Sequence, residues 1–263
     1  MSILLRLAYD GTDFHGWAVQ PPGRDGLAVR TVQGELQSVL GVLCGRSVAI
    51  RGASRTDAGV HATGQLVAFE RVTSIPCENL VTALNRMLPV DMAVSAAWEE
   101  TSEGGGTVDP RHGNAGKHYR YRLLLGRLRD PMTARHVWQI ERPLEVSRVR
   151  DAAAHFVGTH DFAGFRSAMC QARSTVRTIF GIELVEHTPT AGGVLLDIHV
   201  RGTAFLHNMV RVMIGTLVEI GHGRGDGARI DEALTTGVRA RAGRTAPPTG
   251  LTLVEVLWPG APG

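Results

Sequence analysis

Hydrophobic positions in the first hundred residues predict an alternation of strands and helices. Apolar residues recur at helical spacing after Thr31, a suitable N-cap, so residues 31–44 are predicted to form a helix. Short apolar runs rich in strand-forming residues predict strands over residues 3–9, 47–52, 64–70 and 92–98. A second helix is predicted over residues 76–88. This part of the chain therefore has the pattern of an α+β unit.

The second part of the chain repeats this order loosely. Alternating residues predict a strand over 117–125, and Ser147 is predicted to cap a helix that ends near residue 156. A hairpin is predicted from strands over 176–186 and 194–200 around a loop at 189–193. Helices over 205–220 and 230–236 and a last strand over 251–257 complete the prediction.

These patterns predict the α+β class, with two similar halves of the ferredoxin or RRM-like type and mainly antiparallel sheets. An acidic and then glycine-rich stretch, residues 99–106, is a natural boundary. We therefore expect an N-terminal domain over 1–105 and a C-terminal domain over 106–263. Two similar halves suggest a pseudo-twofold arrangement with a cleft between them, and such clefts are favoured ligand sites.

Composition limits the class of protein. No apolar run reaches the ~18 residues of a membrane span, and no secretory signal precedes the first strand, so we expect a cytoplasmic protein. Three distant cysteines, Cys44, Cys77 and Cys170, are interpreted as reduced thiols. The net charge is +3, and a single lysine among 28 basic residues leaves an arginine excess that a GC-rich genome would also produce. Only the placement of the arginines is therefore informative.

Residues 51–69 are the stretch with the greatest chemical content. Arg55 and Asp57 are two positions apart and share a face of an extended backbone, and the small residues Ala58 and Gly59 allow close approach. A solvated arginine beside an ordinary turn explains the same pattern equally well. If Asp57 is partly buried it needs a cation, and Arg55 and Arg211 are the candidates.

Two later segments could supply partners. On the predicted helix 205–220, Asn208, Arg211 and Gly215 share a polar or small face, so Arg211 either extends into a cleft or is simply solvated. On the strand 117–125, basic residues alternate with aromatic ones, which suits base stacking and phosphate contact but also a half-buried strand with solvated arginines. Metalloprotease, nucleophile-elbow and clustered-carboxylate metal motifs are absent, so no metal is expected.

Residues 55–62 (RTDAGVHA), followed by Gly64 and Gln65, resemble the active-site signature of the tRNA pseudouridine synthase A family. The resemblance extends over almost the whole chain, and its motifs occur in order. They are residues 9–17 (YDGTDFHGW), 31–36 (TVQGEL), 83–89 (ALNRMLP), 117–121 (KHYRY), 157–162 (VGTHDF), 204–211 (AFLHNMVR) and 246–251 (APPTGL).

This resemblance implies an isomerase that converts uridine to pseudouridine at positions 38–40 of the tRNA anticodon stem-loop, as a homodimer without a cofactor. It implies that Asp57 is the nucleophile, attacking either C1′ of the ribose or C6 of the base, on a flipped-out nucleotide. Tyr119 would stack on the base and accept the C5 proton, and Arg211 would pair with Asp57. The implied RNA contacts are Arg55, His61, Arg111 and Lys117.

Two departures from the family pattern are visible. Ser54 stands where many members have glycine, and residues 108–110 read VDP where many read Phe-His-Ala. The alternative is a non-catalytic tRNA-binding or chaperone protein on the same scaffold. A third hypothesis, a glycosidase that uses an aspartate nucleophile and releases the base, is disfavoured because this sequence has no second acidic residue at an obvious position.

Overall fold

The computed structural model describes residues 1–23, 26–101, 106–188 and 192–262. Its strands are β1 (Ser2–Tyr9), β2 (Ile50–Gly52), β3 (His61–Glu70), β4 (Met92–Glu100), β5 (Gly116–Leu125), β6 (Trp138–Ile140), β7 (Gly158–Asp161), β8 (Val176–His187), β9 (Val194–Gly202) and β10 (Leu251–Leu257). Its α-helices are α1 (Val32–Cys44), α2 (Cys77–Met87), α3 (Val146–Ala153), α4 (Met209–Gly221) and α5 (Gly227–Thr236). The predicted α+β class with mostly antiparallel pairing is confirmed.

The chain divides into two compact units. Unit 1 contains Met1–Ala115 and Thr252–Gly263, and unit 2 contains Gly116–Leu251. All of β10 except its first residue therefore lies in unit 1, whereas the sequence places this strand in the second half. The predicted boundary after residue 105 falls at residues 102–105, outside the described residues, and the predicted pseudo-twofold arrangement and cleft stay predictions.

Unit 1 is a sheet in the order β4-β1-β3-β10, with β2 also paired to β3. The pairs β1–β3, β1–β4 and β2–β3 are antiparallel, whereas β10 runs parallel to β3 with Thr252 opposite His61. Helix α1 forms as predicted: the Thr31 hydroxyl accepts the Gly34 N–H, and Gly45 ends the helix in the left-handed conformation. Helix α2 packs on β4 and α1.

In unit 2, strands β5, β9, β8 and β7 pair antiparallel in that order, and β6 runs parallel to β5. Tyr119 on β5 lies opposite Val200 on β9, which sets the register of the central pair. Helix α3 packs on both α4 and α5, and almost every residue of α4 is buried. Among the described residues, no helix is both long and apolar enough to cross a membrane.

Three predicted features of unit 2 are wrong in detail. Helix α4 begins at Met209 rather than at residue 205, because Asn208 adopts a left-handed conformation with φ 63° that no continuing helix permits. Glu145, not Ser147, stands at the N-cap of α3. Strands β6 and β7 are absent from the prediction, and the predicted hairpin loop at 189–193 lies partly outside the described residues.

Candidate active site

The loop that carries Asp57 is held on its N-terminal side by the buried side chain of Gln65. The Gln65 amide nitrogen donates to the Ser54 carbonyl oxygen at 2.7 Å, and its amide oxygen accepts the Ser54 N–H at 3.1 Å. One residue earlier, the Ala53 N–H donates to the Leu66 carbonyl oxygen at 2.8 Å. Because a buried amide with both groups bonded is rotationally fixed, Ser54 is anchored to β3.

The segment after β1 holds the other side of the loop. Thr56 is fixed twice: the Trp17 N–H donates to its carbonyl oxygen at 3.0 Å, and its hydroxyl is 2.7 Å from the Tyr9 hydroxyl. The Gly59 N–H donates to the Phe14 carbonyl oxygen at 3.3 Å. Gly16 has φ +95°, and a Cβ there would lie 2.9 Å from the Thr56 carbonyl oxygen, so this close approach requires glycine.

Asp57 therefore lies between fixed neighbours. Its carbonyl oxygen accepts the Val60 N–H at 3.1 Å, which closes a turn, and its side chain is half-buried. Arg55 and Ala58, on either side, are exposed. The structure therefore contains the ordinary turn that the sequence pattern allowed. This turn holds the backbone of Asp57 in place, and Asp57 follows the exposed Arg55 by two residues in the sequence. Such an arrangement suits covalent chemistry on a docked ligand.

Two predicted RNA contacts of unit 1 lie in contrasting environments. His61 is buried, where its Nδ1 accepts the Gly11 N–H at 3.0 Å and lies 3.1 Å from Asp10 Oδ1. Arg111 is exposed and pairs with Asp109, and this hydrogen bond, against the effect of burial, holds the pKa of Asp109 at about 2. The role of each in RNA binding stays a prediction.

In unit 2, the predicted catalytic residue Tyr119 is a buried side chain of β5. Its ring meets the Phe205 ring edge to face, with centroids 5.0 Å apart and planes at 78°. Phe205 belongs to the segment that was predicted to be helical, and it packs on the sheet because α4 starts only at Met209. This contact fixes the plane of the tyrosine ring.

Arg211, in the first turn of α4, is oriented by two hydrogen bonds. Its Nε donates to the Ala246 carbonyl oxygen at 2.8 Å, and its Nη1 donates to Asn208 Oδ1 at 2.9 Å. The segment that carries Ala246 can approach because position 215 is glycine, where a Cβ would lie 1.7 Å from the Arg244 carbonyl oxygen. The guanidinium is therefore held in one direction rather than solvated at random.

The sequence predicted candidate reactive residues but not the residues that position them. Tyr9, Gly16 and Gln65 fix the Asp57 loop within unit 1, and Asn208 orients Arg211 within unit 2. The available signal was modest: each lies in a motif that carries the family resemblance, and Gln65 is a polar residue directly before the apolar run 66–69. Lys117, the remaining predicted RNA contact, lies in unit 2 and is buried.

Comparison with known proteins agrees with this geometry. A family model described as tRNA pseudouridine synthase matches residues 152–259. A tRNA pseudouridine synthase A of Myxococcus xanthus is 43% identical over 258 residues, covering 98% of this chain and 92% of the relative. A relative of the same name from Citrifermentans bemidjiense is 41% identical, and the match covers 98% of this chain and 97% of the relative. A third from Geobacter sulfurreducens is 39% identical, and the match covers 98% of this chain and 99% of the relative.

The family model and these relatives show an isomerase of the pseudouridine synthase class. The identity over nearly the full length shows more: the chain belongs to the tRNA pseudouridine synthase A family.

Proposed function

We propose that this enzyme converts uridines at positions 38–40 of the tRNA anticodon stem-loop to pseudouridine, with Asp57 as the nucleophile. The observation that carries the proposal is the Asp57 loop, anchored by Gln65 on one side and by Tyr9 and Trp17 on the other. A loop held in this way loses little entropy when the substrate docks, so binding energy is available for the reaction.

The reaction is a rearrangement in which atoms and electrons balance without an external reagent. The Asp57 carboxylate forms a covalent bond to the nucleotide, at C1′ or at C6, and the bond between C1′ and N1 breaks. The uracil turns, C5 bonds to C1′, the proton on C5 leaves, N1 takes up a proton, and the carboxylate is released unchanged. Because a stacked uridine hides these atoms, the target nucleotide must first flip out of the stem-loop.

Other residues take supporting roles in the proposal. The exposed Arg55 occupies the space that the flipped nucleotide leaves and contacts phosphate. Tyr119 stacks on the base and accepts the C5 proton, and Arg211 is the cation that pairs with the Asp57 carboxylate. The enzyme acts as a homodimer in the cytoplasm, without a metal or organic cofactor.

Tritium release tests this proposal directly. A tRNA transcript labelled at C5 of uridine should lose tritium to water with the wild-type enzyme. Asp57→Asn should bind the same transcript within about threefold of wild type but release tritium at least ~10³-fold more slowly, because the amide is a poor nucleophile. Asp151→Asn, an exposed position on α3, is the matched control and should behave as wild type.

Each other outcome contradicts the proposal in a different way. Binding of tRNA without release by the wild type would support the non-catalytic binding protein. Loss of both binding and release in Asp57→Asn would mean that Asp57 has a structural role. Release by Asp57→Asn at the wild-type rate would exclude it as the nucleophile.

A further inference from the structure

Lys117 is a buried cation on strand β5. It is 9% exposed, and its ammonium group makes no hydrogen bond or ion pair with any residue in the described parts of the chain. Lysine is almost never buried this deeply unless it is paired, because an unpaired charge loses its hydration without compensation. It lies two positions before Tyr119, so the two side chains share a face of β5.

Arg177 on β8 is a second cation with a buried, unsatisfied nitrogen, although the residue as a whole is only half-buried. Its Nη1 donates to the Val176 carbonyl oxygen at 2.6 Å, but its Nε is buried and has no acceptor among the described residues. Burial first, and then the charge of Arg177, lower the pKa of Lys117 to about 8, and burial lowers the pKa of Arg177 as well. No carboxylate within the described ranges contributes to either shift.

The sheet brings these two cations together. Lys117 lies opposite Gly202 on β9, and Gly202 lies opposite Ile179 on β8. Because side chains alternate along a strand, Arg177 is on the same face of β8 as Ile179, and hence on the face that carries Lys117 and Tyr119. Two positive charges are thus held near each other, in a place from which water is largely excluded, beside the tyrosine.

We propose that Lys117 and Arg177 form a subsite for a backbone phosphate of the RNA substrate. A phosphodiester would be an anionic partner for both cations. Its oxygens can accept hydrogen bonds from Arg177 Nε and from the Lys117 ammonium group at the same time. The subsite lies beside Tyr119 and so holds the phosphate of the target nucleotide or of its immediate neighbour. This inference rests on the proposed RNA substrate, but it is separate from the proposed chemistry.

Salt dependence of RNA binding measures the phosphate contact. Lys117→Met and Arg177→Met should each bind an anticodon stem-loop RNA about tenfold more weakly than wild type. The slope of log Kd against log salt concentration, from about 50 to 200 mM, should fall by about 0.7–0.9 for each lost contact. Arg177→Lys keeps the charge and should keep the slope. Arg201→Met removes an arginine that pairs with Glu183 on the opposite face, and should change neither quantity.

Neutral linkages in the RNA locate the phosphate. Methylphosphonate groups are placed one at a time around the target uridine in the same stem-loop. At one linkage the neutral group should weaken binding to wild type about tenfold, while Lys117→Met, which has already lost the contact, should be insensitive there. This coupling between one linkage and one side chain is expected from direct contact only.

Three results would overturn the subsite. The first is an unchanged affinity and salt slope in both methionine variants, with folding checked by thermal denaturation. The second is unchanged binding with lost tritium release, which would give Lys117 a role in the chemistry. The third is equal sensitivity of wild type and variant at every linkage. If the wild type binds RNA but releases no tritium, the proposed reaction fails while the binding tests of the subsite still stand.

Discussion

Strand β5 carries basic side chains on both of its faces, and the two faces differ in whether a carboxylate lies near these side chains. On one face, Arg120 and Arg122 point toward Asp197, a carboxylate that is 3% exposed. Arg122 Nε donates to Asp197 Oδ1 at 3.2 Å, Arg120 Nε lies 4.0 Å from Oδ2, and His187 Nε2 lies 3.5 Å away. On the other face, Lys117 and its neighbour Arg177 on β8 have no carboxylate partner among the described residues.

The difference separates structural charge from charge held for a ligand. The cations around Asp197 are neutralised by the protein itself, so removing one partner leaves the others uncompensated. The pair of Lys117 and Arg177 lowers the stability of the empty protein, and such a cost is typical of functional sites. Counting arginines in the sequence cannot distinguish the two cases, because the distinction depends on which residues the sheet places opposite them.

The largest expected effect comes from removing the central carboxylate. Asp197→Asn should lower the free energy of unfolding by about 3 kcal/mol, because Arg120 and Arg122 then repel one another in a partly desolvated place. Denaturant unfolding measures this change, and RNA affinity should be unaffected. Glu183→Gln, which breaks the exposed pair with Arg201, is the matched control and should cost less than ~0.5 kcal/mol. An equal loss of unfolding free energy in Asp197→Asn and Glu183→Gln would show that Asp197 does not neutralise the arginines around it.

An effect of opposite sign is expected at the unpaired cation. Lys117→Met should raise the free energy of unfolding by about 1–2 kcal/mol at pH 7, because it removes a buried unpaired charge. The folded-state pKa of about 8 lies below the ordinary 10.5, so the unfolded chain binds more protons between these values. The stability of the wild type should therefore rise with pH across that window and close the gap to the variant. A variant that is less stable at every pH would show that Lys117 has a structural partner.

The smallest effect is expected at a histidine pair on the Asp197 face. His118 Nε2 and His199 Nδ1 are 2.9 Å apart, and burial, then Arg201 and His199, lower the pKa of His118 to about 4. The folded state thus resists protonation, so the wild type should lose stability as the pH falls from 6.5 toward 4. His118→Gln should make that loss shallower, as urea unfolding at several pH values would reveal. His112→Gln, at an exposed position, should leave the slope unchanged.

Local patterns predicted the regular elements well. Helix α1 follows from the Thr31 cap and apolar spacing, both of which are encoded within a few residues. The start of α4 was missed because the apolar spacing continues through Phe205 and Leu206 while the backbone turns at Asn208. Strands β6 and β7, of 3 and 4 residues, are too short to show a period.

In the candidate site, too, residues within local motifs were predicted, whereas contacts between distant residues were not. Asp57, Tyr119 and Arg211 were predicted from their motifs, and their catalytic roles stay predictions. The clamp that Gln65 forms on Ser54 and the approach of Arg244 to Gly215 join residues distant in the chain, so no local pattern reports them. No local pattern shows that Lys117 lacks a carboxylate partner among the described residues, because this depends on which side chains of β5, β9 and β8 lie next to it.

The placement of β10 in unit 1 has a consequence for biosynthesis. Residues 1–115 leave the ribosome first, but the strand that pairs in parallel with His61 and Ala62 is translated only after the whole of unit 2. At ordinary elongation rates this delay is on the order of 10 s. During that time part of β3 presents an unpaired edge next to the Asp57 loop. The nascent chain therefore exposes part of a strand edge beside the proposed catalytic loop until β10 has been translated.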